Sequence, residues 1–361
     1  PHMKVAVVGC MAQRLGEKLV EKAPQVDFVL GTDRVFELPD VVAEGKGVSP
    51  INTAFGHENI DTIEPSRETP FSAFVTISRG CDNYCTYCIV PFVRGREVAH
   101  SADVIVESVR KLVADGVVEI TLLGQNVNSY HHGEIAFPEL MQRLVEETDL
   151  ARLRFMTSHP KDISKHLLEV MAGSDRIMPH IHLPLQSGSS RVLEAMGRKY
   201  TAEHYLGIVG SIREKLPYVS LTTDLMVGFP TETEEEYEQT LQVVKTVQFD
   251  SAFMFRYSVR PGTAAAKQVD DVPENIKIER LQKLIELQQA ISYDRNQREV
   301  GRVVRCLVEG VSRRDAAMMR GRTEGNKIVL FKTGAKEGDI VSVSISSADA
   351  YTLHGHIMEE N

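Results

Sequence analysis

Residues 79–97 read RGCDNYCTYCIVPFVRGRE, and the spacing of Cys81, Cys85 and Cys88 within that stretch decides the fold. A β-type run, Ala73 to Ser78, comes just before, so the C-x3-C-x2-C loop falls at the end of a strand. The remaining cysteines are Cys10 and Cys306. An odd number with three crowded into one loop suits metal binding in a reducing compartment better than a disulfide framework. A structural zinc site normally closes with four protein ligands; this loop offers three thiolates, and no histidine follows until His100. A [4Fe–4S] cluster held by three cysteines would leave one iron open to chelate and reductively cleave a substrate. On spacing alone, a zinc knuckle with a distant fourth ligand and buried cysteines without a ligand role remain alternatives.

Outward from the loop, β-type runs alternate with helical patterns. Strands are expected at Ala73–Ser78, Val118–Leu123, Leu153–Thr157, His180–Leu185, Val219–Leu225 and Ser251–Tyr257. Helices are expected at Ala102–Ala114, with Ser101 as N-cap, and near Pro138–Glu146, Ile163–Met171, Ala202–Lys215 and Glu234–Thr246. Six βα units imply an α/β parallel sheet, doubly wound or curved into a partial barrel, with its chemistry at the C-terminal strand ends. A long helix from Pro273 to about Arg298 follows, with Ile278, Leu281, Leu284, Ile285, Leu287 and Ile291 expected on one buried face. Beyond Gly301 the runs Val303–Glu309, Lys327–Phe331, Ile340–Ile345 and Thr352–Ile357 predict a small antiparallel β-barrel. At the other end, Lys4–Val8 and Leu15–Lys22 read as the strand and helix of an α/β remnant, and Val41 to Thr69 as an irregular linker. The expected domains are therefore 1–66, 67–298 and 299–361.

Among 361 residues, 42% are hydrophobic and 25% charged, the profile of a folded globular protein and not of a disordered or fibrous one. No stretch has the length of apolar sequence that a membrane span needs, and no signal pattern opens the chain, so a cytoplasmic protein with no membrane partner is expected. The net charge of −9 disfavours nucleic acid unless positive charge is local. It is local: residues 302–336 carry nine Lys and Arg, among them Arg313, Arg314, Arg320, Arg322 and Lys327, against three carboxylates. That surplus is able to neutralise phosphates. Cys306, in an alternating strand, reads as core, and His182 as structural.

The cysteine loop, with Tyr87 just before its last cysteine, resembles that of the radical S-adenosylmethionine superfamily. GCMAQR (9–14), LGQNVNSY (123–130), TSHPKD (157–162), HIHLPLQSGSS (180–190), DLMVGFPTET (224–233), FRYSVRPGT (255–263) and GRTEGNKIV (321–329) narrow the resemblance to the methylthiotransferases. Within that family they are most similar to the subgroup acting on isopentenylated adenosine in tRNA. GQNVNSY (124–130) sets that subgroup apart from the sister enzymes that modify a ribosomal-protein aspartate.

The resemblance implies a partial (β/α)6 barrel preceded by an α/β domain and followed by a TRAM-like RNA-binding barrel. It implies two [4Fe–4S] clusters and S-adenosylmethionine. Cys81, Cys85 and Cys88 would hold the radical cluster. Cys10 would be one ligand of an auxiliary cluster whose other two cysteines are expected upstream of residue 1. Tyr87, Gly124, Gln125, Asn126, Ser158, His159, Gln186, Ser187, Arg198 and Asp224 would bind the cofactor or the target base, and Arg313, Arg314, Arg320, Arg322 and Lys327 the RNA. The implied reaction places a methylthio group on carbon 2 of N(6)-isopentenyladenosine at position 37, beside the anticodon. Implied partners are the tRNA anticodon stem-loop and an electron donor such as flavodoxin or ferredoxin, with the enzyme a monomer. The alternatives are a methylthiotransferase for threonylcarbamoyladenosine or for a ribosomal-protein aspartate, and a non-catalytic tRNA binder with a structural metal.

Overall fold

The computed structural model describes residues 3–44, 50–56, 67, 69–332 and 334–358. Six parallel strands in chain order form the central domain: Ser72–Thr76, Glu119–Leu123, Arg152–Phe155, His180–His182, Ser220–Val227 and Ser251–Arg256. The first three pair as one sheet and the last three as another. A bridge from Leu153 to Ile177 and the bond from Ser158 N to His182 O at 3.3 Å join them. Each neighbour in space is the neighbour in sequence, with helices on the outside, which is a partial (β/α)6 barrel. Alternation divides the strands cleanly. Ile120, Leu122, Leu153, Phe155, Ile181 and Leu221 enter the helix-side core, so Glu119, Arg152, Arg154, His180, His182, Thr222 and Asp224 take the lumen side.

The helices follow the expected bounds closely. Ala102–Ala114 and Ala202–Lys215 are as read, and Phe137–Glu147, Lys165–Ala172 and Glu234–Val247 differ by a residue or two. Ser101 is the N-cap residue of the first, without a side-chain cap bond. The long helix, Glu274–Gln297, departs from expectation in its buried face. Ile278 is exposed, whereas Lys277, Arg280 and Gln288 are buried with Leu284 and Ile291. Partners outside the helix make this possible: Lys277 Nζ reaches Asp270 at 2.6 Å, Arg280 reaches Glu232 at 2.9 Å and Glu234 at 3.0 Å, and Gln288 donates to Phe249 O at 2.9 Å.

Three parallel strands, Ala6–Val8, Phe28–Leu30 and Ile51–Asn52, build the N-terminal sheet. The last of these corrects the reading of residues 41–69 as wholly irregular: a two-residue strand between Pro50 and Gly56 is too short to show alternation. Residues 45–49, 57–66 and 68, which make up most of that expected linker, lie outside the described residues. The C-terminal strands Val303–Val311, Met318–Thr323, Ile328–Lys332, Ile340–Ala348 and Thr352–Ile357 close into a barrel around Cys306, Val308, Phe331 and Val343. Its second strand was not expected from sequence, and the pairing of Ile328–Lys332 with Thr352–Ile357 is parallel while the other four are antiparallel. Among the described residues no helix is long and apolar enough to cross a membrane.

The C-terminal barrel plugs the bottom of the central one. Its turn between Thr323 and Lys327 meets the N-terminal ends of the core strands, where Arg152 and Arg154 are both buried. Their guanidinium groups donate to the carbonyls of Arg322 at 3.2 Å, Thr323 at 2.6 and 3.0 Å and Glu324 at 2.9 Å. Glu119 pairs with both, at 2.9 and 2.7 Å. A second tie joins Lys327 to Asp250 at 3.0 Å.

Candidate functional site

The cysteine loop leaves the first core strand through Ser78–Arg79, which pairs with Val98–Ala99. Gly80 has φ +74°, and a Cβ there would lie 2.0 Å from the carbonyl oxygen of Arg96, so only glycine fits this bend. Thr86 anchors the loop: its N and Oγ1 donate to the carbonyls of Met196 and Ala195, both at 2.9 Å, and its carbonyl accepts from Ala265 N at 2.7 Å. The N-terminal domain braces the loop from the other side. Arg79 pairs with buried Asp33 at 2.8 Å, Thr32 Oγ1 donates to Val93 O at 2.7 Å, and the helix Cys10–Leu15 packs on the helix Val90–Arg94. Cys10 therefore heads a helix that abuts the loop carrying Cys81, Cys85 and Cys88.

Burial pushes up the Cys81 and Cys88 thiols, and the nearby Cys85 adds to both shifts. The three sulfur atoms thus share one electrostatic neighbourhood. Among the described residues no group of three or more His, Cys, Asp or Glu is gathered tightly enough for a single metal ion. Arg198 is half-buried against this loop, its Nη1 3.4 Å from Cys85 Sγ and its Nε 2.9 Å from Tyr200 Oη. Burial alone would lower its pKa, but Tyr200, Tyr87 and Cys85 together raise it and keep the cation in place.

Around the mouth, the expected residues divide into two groups. Gly124 closes on Ser78, whose Oγ would be 2.7 Å from a Cβ at that position. Ser78 Oγ, Gln125 Oε1, Asn126 Oδ1 and Ser158 Oγ are buried polar atoms without a hydrogen-bond partner among the described residues. Orphaned atoms of this kind are rare in folded proteins, and four at neighbouring strand ends beside three thiols fit a bound polar ligand. The residues therefore suit a cluster and an amino-acid-bearing cofactor. Asp224 is in the lumen, part exposed, its Oδ1 3.4 Å from His182 Nε2. Gln186 sits at the fourth strand end with φ +70°, holding the fifth strand through bonds to Asp224 O and from Met226 N, both 2.8 Å.

The other expected residues have structural partners. Ser187 is fully buried, its Oγ 3.4 Å from Thr240 Oγ1 and accepting from Ser189 N at 3.2 Å, which turns it away from the lumen. His159 is held neutral, its pKa lowered to about 2 by burial and by Arg198, and its Nδ1 accepts from Lys161 N at 3.2 Å. Tyr87 packs with Val192, Met196, Phe229 and Tyr257, so its ring belongs to a hydrophobic cluster beneath the loop. In the C-terminal barrel, Arg313 and Arg314 are exposed without an ion pair among the described residues. Arg320 and Arg322 both pair with Glu309, at 2.8 and 2.5 Å, and Lys327 is spent on Asp250 and Asn296, both at 3.0 Å.

Three features were not singled out from sequence. Asn128 exchanges two bonds with the backbone of His159, at 3.0 and 2.8 Å, locking the second strand end to the third. A lumen chain runs His180 Nε2, Thr222 Oγ1, His182 Nδ1 with steps of 3.1 and 3.0 Å, so His182, read as structural, faces the site. On the last strand Phe253 and Phe255 are half-exposed, and Phe253 meets His182 edge-on at 6.0 Å. The period-two alternation of SAFMFR held that last signal.

Comparison with known proteins agrees with this geometry. Residues 75–244 match the model of the Radical SAM superfamily and residues 297–358 that of the TRAM domain. The tRNA-2-methylthio-N(6)-dimethylallyladenosine synthase of Moorella thermoacetica is 44% identical over 99% of this chain and 83% of its own length. The protein of the same name from Phocaeicola vulgatus is 46% identical over 98% and 80%. Among solved structures, the cobalamin-dependent S-adenosylmethionine radical enzyme OxsB superposes with a TM-score of 0.50 over 78% of this chain and 43% of its own, at 13% identity, a likeness of fold.

Proposed function

The chain belongs to the tRNA-2-methylthio-N(6)-dimethylallyladenosine synthase family of radical S-adenosylmethionine tRNA methylthiotransferases, and from that premise we propose how its own residues divide the work. The substrate is N(6)-isopentenyladenosine at position 37 of a tRNA anticodon stem-loop, and the product carries a methylthio group on carbon 2. Residues 67–298 form the catalytic unit, 299–361 the RNA-binding unit, and 1–66 part of a domain carrying the auxiliary cluster. When bound, the clusters and S-adenosylmethionine supply the radical and sulfur-transfer chemistry.

Cys81, Cys85 and Cys88 hold the radical cluster, and Arg198, against Cys85, offsets its negative charge. Cys10 contributes to the auxiliary cluster, on a helix packed beside the loop. Ser78, Gln125, Asn126 and Ser158 turn their unpaired atoms to S-adenosylmethionine, and Asn128 keeps that rim rigid. Asp224, with His182 behind it, faces the target base, which Phe253 and Phe255 receive once it leaves its stack. Arg313 and Arg314 meet phosphates, and an electron donor such as flavodoxin or ferredoxin serves the cluster.

The observation that carries this reading is the set of buried polar atoms, unpaired among the described residues, at the ends of successive strands next to the three-thiol loop, at one mouth of a barrel whose floor is an RNA-binding domain. Anaerobic turnover of anticodon stem-loops bearing isopentenyladenosine or plain adenosine, read by nucleoside mass spectrometry, tests it. Conversion of the prenylated stem-loop alone is expected. Equal conversion of both would overturn the substrate assignment.

A further inference from the structure

Between the last core strand and the C-terminal barrel lies a cavity of about 530 Å³, the size of a small-molecule site. Met156, Phe253 and Thr222 line it from the lumen, and Arg322, Lys327 and Ile328 from the C-terminal barrel. Phe253 also touches His182, which pairs with Asp224, so this space adjoins the place given above to the target base.

Its electrostatics are unusual for a pocket bordered by RNA-binding residues. Each cation on its wall is already committed: Lys327 to Asp250 and Asn296, Arg322 to Glu309. Asp250 is matched in turn by Arg295 at 3.0 Å. Beneath, Arg152 and Arg154 are taken up by Glu119 and by carbonyls of the plugging turn. A neutral substituent therefore meets Met156, Phe253 and Ile328 without leaving a charge uncompensated. A carboxylate there would be buried with no cation free among the described residues to pair it.

Resting on the function proposed above, we propose that this interdomain cavity receives the dimethylallyl tail of the substrate adenosine, with Phe253 of the catalytic barrel and Ile328 of the C-terminal barrel as its two walls. The RNA-binding domain thereby takes part in choosing the base modification as well as in holding phosphates. Neutrality of the cavity is what rejects an adenosine whose N(6) substituent ends in a carboxylate.

The test measures dissociation constants of the intact protein for three anticodon stem-loops, with isopentenyladenosine, plain adenosine or threonylcarbamoyladenosine at the target position. Wild type is expected to favour the first about tenfold over the other two. Ile328→Ala is expected to remove most of that preference while plain stem-loop binding holds, and Phe253→Ala, which also takes away part of the surface given to the base, to weaken all three RNAs and the prenylated one most. Thermal denaturation of each variant reports its fold, and either variant alone suffices. Preference retained in both variants, or equal weakening of Ile328→Ala toward all three RNAs, would overturn the proposal. Equal wild-type binding of the prenylated and carboxylate-bearing RNAs would overturn it too. Failure of the functional reading looks different: wild type would then convert no prenylated stem-loop, whatever its binding preference.

Discussion

At the mouth of the barrel, Ser78, Gln125, Asn126 and Ser158 each bury a polar atom that no described residue satisfies, whereas at the floor Glu119, Arg152 and Arg154 are bound to one another and to three carbonyls. Both ends are polar and both are buried, so composition does not separate them. What separates them is who supplies the partners. An unpaired buried group costs about 1–3 kcal/mol, and a ligand that satisfies it recovers that cost on binding. A cluster whose charges are matched within its own chain fixes one domain against another and balances charge beside the neighbouring cavity, even though His180 Nδ1 at the floor is also buried without a hydrogen-bond partner among the described residues.

The largest effect expected from this contrast is at the mouth. Cys85→Ala should abolish methylthiolation and S-adenosylmethionine cleavage, and iron analysis after anaerobic reconstitution should show about four fewer irons per chain. Because Thr86 and Ala265 anchor the loop through backbone bonds, the variant should unfold near the wild-type temperature. A marked loss of stability would show that the mouth, too, is part of the scaffold. At the floor the pattern should invert. Glu119→Ala leaves two buried guanidinium groups short of their carboxylate and is expected to cost about 3 kcal/mol by chemical denaturation. Iron content should stay at the wild-type level, and a drop would mean that floor and mouth are coupled.

A subtler effect at the floor is legible in pH. His180, at the floor, has its pKa lowered from 6.5 to about 3, chiefly by burial and then by Arg154. The unfolded chain thus binds a proton that the folded chain refuses between those values. Folding stability is therefore expected to fall as pH drops through that window and to be fully present above 6.5. His180→Gln should flatten the slope of unfolding free energy over that range by up to about 1.4 kcal/mol per pH unit. An unchanged slope would show that other groups carry the acid sensitivity.

Much of the mouth was readable from sequence and little of the floor. The three-cysteine spacing, the six alternating runs and the outer helices are local signals, and they located the strand ends that carry Gln125, Asn126 and Ser158. Partners far apart in sequence leave no such trace. The buried Arg280 of the long helix looks like part of a solvated face until Glu232, 48 residues earlier, is found opposite it. Strand Met318–Thr323 was missed because Arg320, Gly321 and Arg322 give it no β-branched core. Glu309, on the adjacent strand, supplies the partner that holds the two arginines there. Ser187 read as a ligand because its motif ends a strand, yet Thr240, on a helix more than fifty residues on, draws it out of the lumen.

The same blindness to distant partners makes a positive surplus a poor guide to RNA binding, and this yields the smallest expected effect. Arg313 and Arg314 are exposed and unpaired among the described residues, while Arg322 and Lys327 are tied to carboxylates of their own chain. Only a charge that trades counterions for phosphate contributes to the salt dependence of RNA binding. Replacing Arg313 and Arg314 by Ala should weaken stem-loop binding several-fold whatever the target base, and lower the slope of log affinity against log salt by about one for each phosphate that is no longer neutralised. Replacing Lys327 by Met should leave that slope unchanged, since its ammonium group stays with Asp250 in the free and the bound protein alike. Any loss of affinity in that variant should instead accompany a loss of stability, from the carboxylate left behind at the domain junction. A slope that falls with Lys327 and holds with Arg313 and Arg314 would reverse the assignment, placing the RNA across the junction rather than on the turn between Val311 and Met318.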